Sequence, residues 1–208
     1  MDEKNLLTHI KSTYENKEVK PIMKVRYFGI MALLTERNGE LSFVLNKRAP
    51  HIRQGGDICF PGGRQEESES LWETALRETE EELGIPRDAI TFIAKSDYLL
   101  SMQRYLQPFI GYVPYEVLHD SLPNCSEVAE IFTIPLSHLM ETTPEVHPFV
   151  MDTIVQDDFP FHRIVGGKDY TFTSYRMPCY FYEYKGHSIW GLTAMMLHNI
   201  IETIKHGL

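Results

Sequence analysis

Three carboxylates, Glu78, Glu81 and Glu82, crowd the run Arg77-Glu-Thr-Glu-Glu-Glu82 at spacings of three and four residues between Glu78 and the later pair. Successive residues of a helix are rotated by about 100°, so these side chains share one sector roughly 100° wide. Like charges so placed disfavour an isolated helix by a few tenths of a kcal/mol per pair, about the size of a favourable pair. A cation bound there would remove that penalty. A hard divalent ion, Mg²⁺ or Mn²⁺, favours oxygen ligands and divides its coordination among a few carboxylates, waters and substrate phosphate oxygens. Such an ion would let an acidic patch hold a diphosphate and polarise its phosphorus. Taken alone, Thr79-Glu-Glu-Glu82 reads as solvated helix surface.

The wider spacing points elsewhere. From Gly63 the chain runs five residues to Glu69, seven more to Arg77-Glu78, then Glu81-Glu82 after two, and Gly84-Ile85 after one. This resembles the Nudix box, G-x5-E-x7-R-E-U-x-E-E-x-G-U with U apolar, and only Thr79, at the first U, departs from it. With each fixed residue at a background frequency of about 1/15, a chance match is on the order of one in a million.

The resemblance implies a Nudix α/β/α sandwich, an α+β fold with a mixed sheet between helices. It also implies hydrolysis of a nucleoside diphosphate linked to another group, by water attacking one phosphorus in line. Glu78, Glu81 and Glu82 would ligate Mg²⁺ or Mn²⁺, with Glu78 a candidate base oriented by Arg77. Glu69 would brace the loop at the helix start, Gly62 and Gly63 would let backbone approach the substrate, and Gly84 suits a left-handed helix cap. In some members the base lies on a later loop, and Glu127 is the position to expect here.

Further stretches resemble a narrower branch, the coenzyme A pyrophosphatases, which release phosphopantetheine and adenosine 3′,5′-bisphosphate. They are Arg53-Gln-Gly-Gly56 before Asp57-Ile-Cys-Phe-Pro-Gly-Gly63, then Gln107-Pro-Phe-Ile-Gly111, Glu127 to Leu139, and Ile189-Trp-Gly-Leu-Thr-Ala194. Lys47, Arg48, Arg53 and Arg64 set four positive charges against Asp57 just before the carboxylates. Arg48 and Arg53 are the candidates to grip the 3′-phosphate or the diphosphate. Two features depart from the branch pattern. Arg53 and Gly56 are separated by two residues rather than three, and Phe43-Val-Leu-Asn-Lys-Arg-Ala49 stands where the branch has Leu-Leu-Thr-x-Arg-Ser. ADP-ribose and NADH are the alternative substrates, and a catalytically silent Nudix-fold binding module is the alternative of another class. Trp190 and Tyr180-Phe-Tyr182 are expected in the core rather than against a base.

The elements that must position these residues follow from periodicity. Trp72, Ala75, Leu76, Thr79 and Leu83 form one helical stripe that should pack on a sheet, in a helix starting near Ser68 or Ser70 and ending at Gly84. Val25 to Thr35 and Leu41 to Leu45 predict strands around the turn Asn38-Gly39. Ile90 to Ala94, Phe109 to Val113, Glu130 to Ile134 and Tyr180 to Tyr184 predict further strands. Helices are expected over about 2–16 and about 188–205, closing a single domain over 1–208. The weakly periodic stretch Thr142 to Tyr170 is expected to be a long substrate-side loop or an insertion.

With 208 residues and 43% hydrophobic content the chain can bury a substantial core. Its net charge of −9 disfavours a broad grip on nucleic acid, including capped RNA. No apolar run is long enough for a membrane span. Cys59, Cys125 and Cys179 form no paired pattern and read as reduced thiols, and a cytoplasmic location is expected. Oligomeric state is left open.

Overall fold

Strand β1 (Arg26–Arg37) alternates its apolar side chains between two separate cores. Ile30, Ala32 and Leu34 enter one cluster, whereas Met31 and Leu33 enter the other. A strand buried on both faces demands cover on both, and this strand lies at the centre of the fold. The computed structural model describes residues 3–207.

β1 turns at Asn38-Gly39, both with positive φ, into β2 (Glu40–Arg48), the hairpin predicted by the Asn-Gly pair. β3 (Ile58–Cys59) pairs with β2, and β4 (Gly62–Arg64) pairs with β1. After helix α2 (Leu71–Leu83) come β5 (Thr91–Lys95), β6 (Leu99–Ser101) and β7 (Arg104–Tyr112). β7 runs parallel to β1 while the other pairings of this sheet are antiparallel, so the sheet is mixed as expected. Short helix α3 (Tyr115–Asp120) leads to β8 (Val128–Pro135), which pairs with the far side of β2 and continues into α4 (Leu136–Glu141).

One face of the sheet is covered by α2, whose Ala75 and Leu83 pack with Met31, Leu33 and Val44. The other is covered by α5 (Gly191–His206), through Ala194, Leu197, Ile200 and Ile201. This is the α/β/α sandwich. α1 (Glu3–Glu15) forms as the spacing predicts but buries none of its residues; the predicted position 2 lies outside the described residues. No described helix is long and apolar enough to cross a membrane.

Two expectations are revised. The segment beginning at Ser188 starts as a strand, not a helix: β11 (His187–Trp190) pairs with β10 (Tyr175–Tyr184), and α5 begins only at Gly191. Trp190 is extended and Gly191 has φ +65°, a left-handed conformation that breaks the path between strand and helix. Ile189 reaches the core from a strand, so its apolar character mimicked the helix period that follows. The stretch 142–170 is also not one loop. It contains β9 (Glu145–Met151), which joins β10 and β11 in a second, three-stranded sheet.

Candidate active site

Helix α2 is fixed at both ends by its own sequence. Ser70 accepts from the Glu73 backbone N–H, and Glu73 reciprocally accepts from the Ser70 N–H at 2.6 Å, a capping box. At the other end Gly84 takes φ +69° and its N–H closes on the Glu80 carbonyl. Thr79, the departure within the box, is buried on the packing face. Its hydroxyl donates to the Ala75 carbonyl at 2.7 Å, so the helix itself satisfies the polar atom and no apolar residue is required.

Arg77 ties the site together. Its Nε and Nη2 grip the two oxygens of Glu69 at 3.2 and 2.9 Å. Nη2 also donates to the Arg64 carbonyl at 3.1 Å, and Nη1 reaches Glu78 at 2.8 Å and Glu81 at 3.0 Å. All five guanidinium donors are therefore used. Glu69 in turn accepts from the Glu66 N–H and the Thr74 hydroxyl at 2.8 and 2.9 Å. Arg77 and these donors hold the Glu69 carboxyl down at about 2, fixing it as an anion that anchors the loop.

The other carboxylates are held differently. Burial raises Glu78 above the ordinary range, against the pull of Arg77, and Glu81 and Glu127 push it further. Glu82, only 7% exposed, is pushed up to about 7 by burial first and then by Glu78. Arg48 and a hydrogen bond from the Gly62 backbone oppose that rise, while Glu127 adds to it. Glu82 was expected beside the packing stripe; instead it is buried against β2, where the Asn46 amide donates to its Oε2 at 3.2 Å. Glu81 remains on the outer side, half exposed.

The loop before β8 brings Glu127 to this cluster. The Asn124 N–H donates to the Glu82 carbonyl at 3.0 Å, and the Ala49 N–H donates to the Glu127 carbonyl at 2.8 Å. The loop is thus pinned between the end of α2 and the end of β2. On the other side β4 lies over the helix. A Cβ at Gly63 would collide with the Glu78 carboxyl, and a Cβ at Gly62 with the Gly29 carbonyl and Ile30. Gly63→Ala is accordingly expected to displace Glu78 and cut turnover by more than tenfold, the scale on which small misplacements act. Steady-state rates against a melting curve test this; a full rate in a folded variant would show that the contact is not needed.

Among the described residues no three His, Cys, Asp or Glu side chains are gathered closely enough to enclose a metal ion alone. The donor set nonetheless suits a hard cation. A buried carboxylate with two neutral donors, beside a second carboxylate raised by burial, is only partly offset by Arg48 and Arg77. Waters and substrate oxygens complete the coordination of Mg²⁺ in sites of this kind.

A NUDIX domain model matches residues 25–154, well over half of the chain and including every carboxylate above. The chain belongs to the Nudix family. Nudix hydrolase 3 of Caenorhabditis elegans is 27% identical over 194 residues, covering 86% of this chain and 75% of the relative. An uncharacterized Nudix hydrolase, NudL, of Photorhabdus laumondii is 31% identical over 167 residues, covering 79% and 78% respectively. A mutT/nudix family protein from Listeria innocua of known crystal structure is 27% identical, with a TM-score of 0.45 over 57% of this chain and 83% of that one. With its box carboxylates in place, this Nudix protein is a hydrolase of diphosphate linkages.

On the α5 side of the sheet lies a cavity of about 470 Å³ that reaches Gly62 and Arg48, both of which act on Glu82. The arginines expected to bind phosphate separate here. Arg48 lines the cavity, whereas the exposed Arg53 does not and contributes its carbonyl, which accepts from Arg48 Nε at 3.2 Å. Two residues not selected from the sequence also line it. Trp190, 39% exposed, donates to Asp57 at 3.3 Å, and Arg104 stands at the start of β7. The pattern Ile189-Trp-Gly was the available signal for the tryptophan. By contrast Tyr182 is core, as expected, with its hydroxyl 2.9 Å from His198.

Proposed function

We propose that the protein hydrolyses the diphosphate bond of coenzyme A or its derivatives, using Mg²⁺ or Mn²⁺ held by Glu78, Glu81 and Glu82. The observation that carries the substrate is the chemistry of the cavity that reaches Gly62 and Arg48. Its walls include Met102, Met151, Met177, Met195 and Met196, together with Phe149 and two arginines, Arg48 and Arg104. A long, flexible arm with few polar groups, such as phosphopantetheine, suits methionine-rich walls that adapt to it. The second ribose of ADP-ribose or the nicotinamide riboside of NADH would demand a denser set of donors and acceptors.

The bound ion would supply the positive charge that offsets the diphosphate and the polarisation that prepares it for attack. The chain's own groups do the rest. Arg48 contributes charge beside Glu82 and grips phosphate at the cavity mouth. Arg77 holds Glu78 in place, and either Glu78 or Glu127 accepts the proton of the attacking water. Glu127 carries no ion pair among the described residues, and Glu78 is raised towards the range a base needs. Arg53 is the weaker phosphate ligand, acting through its carbonyl on Arg48.

Comparison of kcat/KM for coenzyme A, ADP-ribose and NADH with Mg²⁺ tests the substrate. Coenzyme A is expected to lead by more than tenfold, about 1.4 kcal/mol of differential transition-state binding. A lead for ADP-ribose or NADH would reassign the cavity to a second sugar.

A further inference from the structure

We propose that Asn46 and Cys59 are positioning residues that aim Glu82 at the metal. This inference rests on the metal assignment above but not on the choice of coenzyme A. Asn46 on β2 and Cys59 on β3 are direct antiparallel partners. The Cys59 thiol donates to Asn46 Oδ1 at 3.0 Å, and Asn46 Nδ2 donates to Glu82 Oε2 at 3.2 Å. The chain of bonds is S–H to amide oxygen, amide N–H to carboxylate.

The two ends agree on a single orientation of the amide. Were the Asn46 amide turned over, Oδ1 would face the carboxylate, two acceptors in contact, and the NH₂ would face a thiol that offers only a weak acceptor. The carboxylate selects Nδ2 from one side and the thiol selects Oδ1 from the other. Asn46 is 1% exposed, so water cannot substitute for either partner. Glu82 is thereby held from one side through Oε2, while the Gly62 backbone N–H provides a second hydrogen bond. A carboxylate has about four lone-pair positions, so two donors leave others for a cation. Outer partners of this kind orient a ligand without touching the ion. Asn46 is also where the chain departs from Leu-Leu-Thr-x-Arg-Ser: the amide reaches both Cys59 and Glu82, which a threonine hydroxyl is too short to do in the same way.

Mn²⁺ binding without substrate, read from the electron paramagnetic resonance signal of the free ion, tests the relay apart from turnover. Cys59→Ala is expected to weaken Mn²⁺ binding by about tenfold, the lower end of what loss of an outer partner costs, and Asn46→Leu by up to about a hundredfold. Cys59→Ser keeps a donor and is expected to retain binding to within about threefold. In an Asn46→Leu background Cys59→Ala is expected to add no loss, because the acceptor that couples the two is gone. Circular dichroism identifies folded variants, and if those at Asn46 do not fold, the comparison of Cys59→Ala with Cys59→Ser carries the test. Unchanged Mn²⁺ affinity in Cys59→Ala, equal losses in Ala and Ser, or an undiminished loss in the leucine background would each overturn the relay. Failure of the unsubstituted protein to bind Mn²⁺ would overturn the metal assignment itself, which separates the two failures.

Discussion

Arg77→Ala is expected to lower folding stability by about 3 kcal/mol and turnover by at least about a hundredfold. The side chain is 13% exposed and makes ion pairs with Glu69, Glu78 and Glu81. Removing it strands Glu69, whose carboxyl is held well below the ordinary range chiefly by Arg77. It also leaves the Arg64 carbonyl without its donor and frees Glu78 to swing away from Gly63. Arg77→Lys keeps the charge but has three donors on one point, against five in a planar fork. It is expected to recover part of the stability and little of the rate. Chemical denaturation with parallel kinetics decides this. A folded Arg77→Ala protein within about 0.5 kcal/mol of the original, the range of ordinary surface substitutions, would remove Arg77 from its structural role.

Glu82→Gln has the second largest effect, and its two readouts move in opposite directions. Metal-dependent turnover is expected to fall by at least about a hundredfold, since under the proposed assignment a ligand is lost rather than an outer partner. Metal-free stability near pH 7 is expected to rise. The unfolded chain releases this proton near 4.5, whereas the folded protein holds it to about 7. The folded state therefore binds more protons, and stability falls as pH climbs through that window, by up to about 3 kcal/mol. Glu78 is raised as well and adds in the same sense. Glu69 acts oppositely but lower: the stability it provides is present above 4.5 and is lost as pH falls towards 2. Melting curves from pH 5 to 8 should thus decline in the metal-free protein and be shallower in Glu82→Gln. Gln fits the pocket, because its carbonyl can still accept from Asn46. An equal slope in both proteins would contradict the burial argument.

The carboxylate helix was legible because its information is local. Capping at Ser70, the stripe through Ala75 and Leu83 and the stop at Gly84 are all decided within a few turns of chain. The hairpin at Asn38-Gly39 was legible for the same reason. What the sequence could not carry is which groups meet across the sheet. Asn46 lies 36 residues from Glu82, and Trp190 lies 133 from Asp57. Their contacts follow from strand register, not from spacing.

The burial of Glu82 was hidden for a related reason. A helical wheel places it beside the stripe, but it does not show that β2 and β4 rise over that edge of the helix. Strand β11 was misread because Ile189 and Leu192 mimic a helical period across the break at Gly191. Strand β9 escaped, although its partner β10 was predicted in part at Tyr180 to Tyr184, because every β9 residue is exposed and there is no alternation of burial to detect.

Diphosphate cleavage is tested most directly by mass spectrometry of the products after incubating coenzyme A with the protein and Mg²⁺. Phosphopantetheine and adenosine 3′,5′-bisphosphate are expected in equal amounts, with neither formed by Glu82→Gln. Intact coenzyme A, or cleavage at the 3′-phosphate in place of the diphosphate, would contradict it.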